Sequence, residues 1–317
     1  MLPALKAASE SHRTAPDPCI VMAQSVEECN DSRMLFGAHC STAGGIWKAL
    51  QRCRTIGGHV CQVFVKNNMQ WFGKPFARND LSSYAKELTA SHLACVFGHA
   101  GYLINLGAPA SQNRDRSIQS LIQEIEFATD LRLPFLVLHP GAHLGAGEAA
   151  GIKQIAAGLD EVFVATKKSS VRIALENTAG QGTCLGNRVE HLAAIFDRVR
   201  KPERLGVCLD TAHFFAAGYD IRTPKGWNAA IREVGSLIGM RQILAFHLND
   251  SKTELSSRVD RHEHIGQGRI GKAAFRHIVN DARFRLHPGC LETPKSDDLH
   301  EDVRNLATLR SLVKSNR

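Results

Sequence analysis

The sequence predicts a (β/α)8 barrel. Three observations carry that expectation. Short apolar, β-rich runs recur eight times from residue 34 on, amphipathic segments of helical period lie between them, and together they fill about the 250 residues such a barrel takes. The runs cover residues 35–38, 60–65, 93–97, 135–138, 171–175, 205–209, 243–246 and 290–291. Between them, residues 117–129 place Ile118, Leu121, Ile122 and Ile125 on one helical face, and residues 190–199 do the same with Leu192, Ile195, Phe196 and Val199. Apolar strands alternating with helices imply parallel sheet, because parallel neighbours need a crossover connection. A doubly wound open sheet would show the same alternation.

The residues that end these runs separate the two architectures. They are His39, Lys66, His99, His139, Glu176, Asp210, His247 and Glu292, all but one an imidazole or a carboxylate. In a barrel every strand C-terminus opens onto one face, where active sites sit, so these residues converge. In an open sheet they would be strung along an edge.

Composition excludes other classes. Hydrophobic residues make up 44% and charged residues 22% of the chain, which is globular rather than disordered or membrane-embedded. No run approaches the roughly 18 apolar residues of a membrane span. Nine cysteines without a Cys-x-x-Cys pair argue against a disulfide framework and a cysteine-based zinc knuckle. They point to a reducing, intracellular setting in which most thiols act as small buried hydrophobes. The 39 basic and 31 acidic residues give a net charge of +8. Residues 1–33 hold Pro3, Pro16 and Pro18, no sustained period and a small acidic excess, so we expect a flexible N-terminal extension before a barrel domain at 34–317. This opening segment lacks the apolar core of a secretory signal. The basic body suits an anionic partner.

Fifteen histidines are a visible excess. Imidazole and carboxylate without thiolate make ligands for catalytic zinc, and also for manganese or iron. Two clusters add to the ring of strand ends. Asp210 and His213 are three residues apart, and Asp260 and His262 share one side of an extended segment within a long glycine-punctuated loop. The ligand candidates are therefore His99, His139, Glu176, Asp210, His213, His247, Asp260, His262 and Glu292. Two metals would leave several of these idle, whereas three with a bridging carboxylate employ all. Three divalent ions against four carboxylates leave a residual positive charge, which favours a phosphate substrate and an in-line displacement at phosphorus. His39 and His143 are left as bystanders or hydrogen-bond partners of the ligands, Lys66 as a phosphate contact, and His92, His191 and His277 as surface residues on helices.

These motifs resemble the endonuclease IV family of zinc-dependent apurinic/apyrimidinic (AP) endonucleases. The matching segments are Gly37-Ala38-His39-Cys40-Ser41, His99-Ala100-Gly101-Tyr102-Leu103, His139-Pro140-Gly141-Ala142-His143, Glu176-Asn177-Thr178-Ala179-Gly180-Gln181-Gly182, Asp210-Thr211-Ala212-His213, His247-Leu248-Asn249-Asp250, Asp260-Arg261-His262 and Leu291-Glu292-Thr293-Pro294. The resemblance spans roughly residues 37–310 and implies a TIM barrel with three zinc ions, part of which manganese or iron could replace. One zinc would sit on His99 and His139, with Glu176 bridging to a second held by Asp210, His247 and Glu292. His213, Asp260 and His262 would hold the third.

A hydroxide bridging the first two zincs would attack the phosphorus 5′ to an abasic sugar, leaving a 3′-hydroxyl and a 5′-deoxyribose phosphate. Glu176 and Glu292 are thus the catalytic carboxylates, and 3′-phosphodiesterase activity is a further expectation. The partner would be double-stranded DNA containing abasic sites, bound by a monomer in the nucleus or mitochondrion of a eukaryote or the cytoplasm of a bacterium, without a membrane. Tyr102 and Leu103 match the family's wedge residues. Met69 stands where the family usually carries an arginine that enters the duplex; it keeps an apolar wedge and loses the guanidinium. Sugar isomerases and epimerases share this kind of barrel but use one or two metals, and a non-catalytic damage sensor would be expected to lose ligands.

Overall fold

The computed structural model describes residues 34–314; the N-terminal extension lies outside the described residues. Eight parallel strands close into a barrel: β1 (Leu35–His39), β2 (Val60–Phe64), β3 (Cys95–His99), β4 (Phe135–Leu138), β5 (Arg172–Glu176), β6 (Leu205–Asp210), β7 (Ile243–His247) and β10 (Pro288–Leu291). Each neighbours the next in sequence, and β10 closes the ring against β1. All eight expected runs are strands. Five of the expected strand-end residues, His39, His99, Glu176, Asp210 and His247, are the last residues of their strands, while His139 and Glu292 follow directly. The helices are α1 (Ile46–Thr55), α2 (Arg78–Ser91), α3 (Gln112–Asp130), α4 (Glu148–Ala165), α5 (Val189–Phe196), α6 (Thr211–Ala217), α7 (Pro224–Leu237), α8 (Lys272–Ile278) and α9 (His300–Leu312). Two short strands, β8 (Asp250–Ser251) and β9 (His262–Glu263), pair antiparallel outside the barrel.

The period of two along each strand aims the polar residues. Val60, Cys95, Phe97, Phe135, Val137, Ala174, Cys208, Ala245 and Cys290 form one buried cluster, the filling of the barrel. The rings of Phe97 and Phe135 stack at 4.8 Å within it. Two residues beyond Phe97 stands His99, and beyond Val137, His139. Glu176, Asp210, His247 and Glu292 follow Ala174, Cys208, Ala245 and Cys290 in the same way, and Gln62 follows Val60. Each is thus turned inward above the apolar plug. Intervening residues such as Val63, Val96, Leu136, Ile173 and Val207 belong to the larger cluster between strands and helices. A one-residue slip of any strand would exchange its two faces, so burial fixes the register. Close packing of β1 on β2 needs Gly37: a Cβ there would lie 1.6 Å from the Val60 carbonyl oxygen.

Candidate metal centre

At the C-terminal mouth, ligand atoms meet in three groups, each within 4.8 Å of one another: His99, His139 and Glu176; Glu176, Asp210, His247 and Glu292; and Asp210, His213 and His262. Asp260 faces the third group, its carboxylate 3.2 Å from His213 Nε2 and 3.3 Å from His262 Nε2. All nine expected residues are therefore brought together. Glu176 reaches both of the first two groups, Oε2 lying 2.9 Å from His139 Nε2 and Oε1 2.8 Å from His247 Nδ1. Asp210 is shared in a way the sequence did not disclose. Its Oδ1 caps α6 by accepting from the His213 backbone N–H at 2.8 Å. Its Oδ2 points between His247 and His262, 3.9 and 3.7 Å away. The capping role expected of a carboxylate at a strand end thus uses one oxygen and leaves the other turned toward the two imidazoles.

The surrounding residues fix which imidazole nitrogen faces the centre. Nδ1 of His99, His213 and His262 lies against the backbone oxygens of Ala100, Asn177 and Glu292 at 2.7, 2.8 and 3.1 Å, so each Nδ1 donates and each Nε2 is left as a lone-pair donor to a metal. His247 is reversed. Its Nδ1 faces the carboxylates, and its Nε2 donates to Gln62 Oε1 at 2.7 Å. The Gln62 amide nitrogen in turn donates to Glu292 Oε1 at 2.5 Å and lies 2.8 Å from His39 Nδ1. Asn249 donates to Asp210 Oδ2 at 2.6 Å and accepts from the Glu292 N–H at 2.8 Å. Asn177 clasps the Asp210 backbone from both sides. Asp250 accepts from the N–H groups of Ser251, Gly266 and Ile270, which folds the long loop back so that β9 carries His262 into the site. Gln181 accepts from the Asp260 N–H at 3.2 Å.

Gln62, Asn177 and Asn249 escaped the sequence reading. The visible signal for Gln62 was an amide inside an otherwise apolar strand; it is fully buried, and a buried amide needs partners.

The groups polarise one another. Burial pushes the Glu176 carboxyl up, but the imidazoles of His247, His139 and His213 outweigh it and hold it well below its usual range. Burial likewise raises Glu292, while His247, His39 and His99 hold it well below. Burial lowers His213 and His247, yet their acidic neighbours, Asp210 foremost for the first and Cys208, Glu292 and Glu176 for the second, bring both well above the ordinary histidine value. Asp260, raised by burial but bonded to His213, falls to about 2. Such an array of paired acids and bases favours the exchange of imidazole protons for cations. The buried Nε2 atoms of His213 and His262 face the Asp260 carboxylate at 3.2 and 3.3 Å, and with each Nδ1 donating to its backbone carbonyl they carry no proton to share with it. Buried polar atoms are rarely left so. Imidazole nitrogens and carboxylate oxygens without thiolate, with orphaned nitrogens aimed inward, fit zinc.

Beside the centre lies a groove of about 570 Å³ lined by His39, Phe64, Asn68, Tyr102, Glu292 and Lys295 among others. Tyr102, which lines the groove, is 57% exposed, and Met69, the chain neighbour of the lining residue Asn68, is 64% exposed. Their loops are joined by the Tyr102 N–H bonding the Asn68 carbonyl. Leu103 is half-buried. Lys66 lines the groove too, though not as the free cation expected to contact phosphate. Its side chain is buried, pairing with Glu124 at 2.8 Å and donating to the Gln70 carbonyl. Glu124 also accepts from the Gly101 N–H, so this ion pair sets the backbone just before Tyr102. His191 is not a surface residue either: it is buried and accepts from the Gly186 N–H. His277 is half-buried against the Ile221 carbonyl, whereas His92 is exposed as expected. His39 touches Glu292, and His143 accepts from the Gly147 N–H.

A family model described as xylose isomerase-like TIM barrel matches residues 50–312. A probable endonuclease 4 of Chloroflexus aggregans is 47% identical over 279 residues, 88% of this chain and 98% of that protein. The chain belongs to the endonuclease IV family. Endonuclease IV from Thermus thermophilus superposes with a TM-score of 0.77 at 29% identity, covering 88% of this chain and 98% of that one. A D-tagatose 3-epimerase-like protein matches with a TM-score of 0.66 at 17% identity over 88% of this chain and 98% of its own, a likeness of fold alone.

Proposed function

We propose that this protein is a zinc-dependent AP endonuclease of DNA base excision repair, hydrolysing the phosphodiester 5′ to an abasic site to leave a 3′-hydroxyl and a 5′-deoxyribose phosphate. The observation that carries the reading is the convergence of nine imidazole and carboxylate ligands in three adjoining groups. His99 and His139 would hold one ion with Glu176; Glu176, Asp210, His247 and Glu292 a second; His213, Asp260 and His262 the third, with Asp210 shared toward it. Bound zinc supplies hydroxide at neutral pH and stabilises charge on the attacking and leaving oxygens. The chain's own residues orient that chemistry. Gln62 and Asn249 fix Glu292, Asn177 and Asn249 fix Asp210, and the backbone carbonyls hold three imidazoles in the ligating tautomer.

Met69, Tyr102 and Leu103 would enter the duplex at the lesion, where stacking and pairing are already lost and extrusion costs least. All nine ligands come from one chain, which supports a monomer as the acting unit. The same centre would clear 3′-blocked ends. Zinc is the metal of this reading, with manganese or iron as substitutes, and the protein would work wherever the cell keeps its DNA. No helix among the described residues is long and apolar enough to cross a membrane. An epimerase would have no use for the third ligand group.

The test is a duplex oligonucleotide with one tetrahydrofuran abasic analogue, which cannot undergo β-elimination. A nick 5′ to the analogue with an end that a polymerase extends supports the proposal. No cleavage by protein that holds its metal refutes it.

A further inference from the structure

Cys40, Cys53 and Cys61 are scattered in sequence but come together on the outer wall of the barrel, remote from the ligand ring in role and facing the other way. His39 and Gln62 point inward, so their chain neighbours Cys40 and Cys61 point outward. The register pairs His39 with Gln62, and the Cys40 N–H bonds the Gln62 carbonyl, making the two cysteines neighbours on that outer face. Cys53 comes down from α1, which packs over them. The three sulfurs lie within 4.8 Å of one another, and all three side chains are buried. Gly58 leaves the room: a Cβ there would meet Cys53 Sγ at 2.6 Å.

The three thiols bond carbonyls and one another, with no charged partner. Cys53 donates to the Val60 carbonyl at 3.1 Å, Cys40 makes a long contact to the Ala38 carbonyl at 3.5 Å, Cys61 makes long contacts to the Ala49 and Gln62 carbonyls at 3.7 and 3.8 Å, and the sulfurs hydrogen-bond among themselves. No other histidine, cysteine, aspartate or glutamate among the described residues joins the group, so tetrahedral zinc would lack its fourth protein ligand. Soft, three-coordinate ions need no fourth. Charge then selects among them. The nearby Lys295 is already neutralised by Asp302 at 2.8 Å. Three thiolates around a monovalent or divalent ion would therefore bury net negative charge, whereas a trivalent ion leaves none.

We propose that Cys40, Cys53 and Cys61 form a capture site for a thiophilic trivalent ion, trivalent arsenic being the matched case. Arsenous acid, As(OH)3, exchanges its three As–O bonds for three As–S bonds. Each thiol proton leaves with one hydroxyl as water, and no electron changes hands. Capture is slow, because α1 must open locally before the sulfurs are reached. Once bound, the ion pins β1 and β2, the strands that carry His39 and Gln62 beneath Glu292.

The test uses the full-length, zinc-loaded protein, reduced with a phosphine, incubated with arsenite, desalted, and assayed for arsenic and zinc by mass spectrometry. The expected result is one arsenic per chain, with a sulfur-to-arsenic absorbance band in the ultraviolet. Cys53→Ala should lower retained arsenic by an order of magnitude or more while zinc content and melting temperature stay near those of the parent. Cys61→Val serves in its place if Cys53→Ala is unstable. Cys184→Ser, and Cys19→Ser with Cys29→Ser, should retain arsenic in full. Failure of the parent protein to retain arsenic overturns the proposal, as does retention by Cys53→Ala equal to that of the parent.

Discussion

Replacing Gln62 by leucine tests whether the amide beneath the metal centre tunes it. The side chain keeps its approximate volume and loses every polar contact. Two consequences follow from the geometry. The His247 Nε2–H, now 2.7 Å from Gln62 Oε1, is stranded in a fully buried position, and Glu292 loses a donor at 2.5 Å. A stranded buried donor costs about 1–3 kcal/mol. Loss of a partner that orients a metal-bound imidazole typically weakens metal affinity by about 10–100-fold, which is about 1.4–2.7 kcal/mol. The two ranges agree. The loss should fall on the ion held by Glu176, Asp210, His247 and Glu292, because His99, His213 and His262 take their orientation from backbone carbonyls that the substitution leaves alone. Competition with a chromophoric zinc chelator, read alongside incision kinetics, measures this. One zinc should be surrendered at roughly 10–100-fold lower chelator concentration, with kcat falling more than KM rises. A chelation profile identical to that of the parent protein would refute the reasoning.

Three further outcomes are expected. Lys66→Met should destabilise by about 3–5 kcal/mol, because it leaves Glu124 charged and unpaired in a buried site, and Lys66→Met with Glu124→Leu should recover most of it; denaturant titration reads both, and a fall in the salt dependence of DNA binding without loss of stability would restore a phosphate contact. Met69→Arg should leave stability within about 0.5 kcal/mol, since Met69 is exposed, while steepening the log-log salt dependence of DNA affinity by roughly 0.9 if the guanidinium meets one phosphate; an unchanged slope in fluorescence anisotropy would place Met69 off the DNA path.

The metal-free protein should show an acidic stability optimum. His213 and His247 are raised above 6.5, so their contribution is full below 6.5 and fades as pH rises through their folded values. Glu176 and Glu292 are lowered below 4.5, so theirs is full above 4.5 and fades as pH falls through their folded values. Both are present between 4.5 and 6.5. The gain in melting temperature on adding zinc should therefore grow from that window toward neutrality as metal replaces protons. A gain independent of pH would contradict the assignment.

The fold was legible because two signals agreed. Apolar runs gave the strands, and the identity of the residues ending them required a closed ring rather than an edge. The convergence of the nine candidate ligands was legible because strand ends and the pairs Asp210/His213 and Asp260/His262 announce themselves locally. What the sequence hid was anything decided by a partner far along the chain. Lys66 is in a loop and basic, so it looked like a DNA contact; only the fold reveals Glu124 across from it. His191 lies on a helix, and the face it occupies is buried against the loop at Gly186. The cysteine triad has no motif spacing at all, since its meeting depends on the β1–β2 register and the position of α1.

The central claim is that three adjoining ligand groups of one chain each hold a metal ion. The most direct measurement is the zinc content of the purified protein beside that of His213→Ala and of His262→Ala, each taken with incision of the tetrahydrofuran duplex. Three zinc ions per chain are expected in the parent protein, two in each variant, with incision lost along with the third ion. One or two ions in the parent, or a zinc content untouched by either substitution, would contradict it.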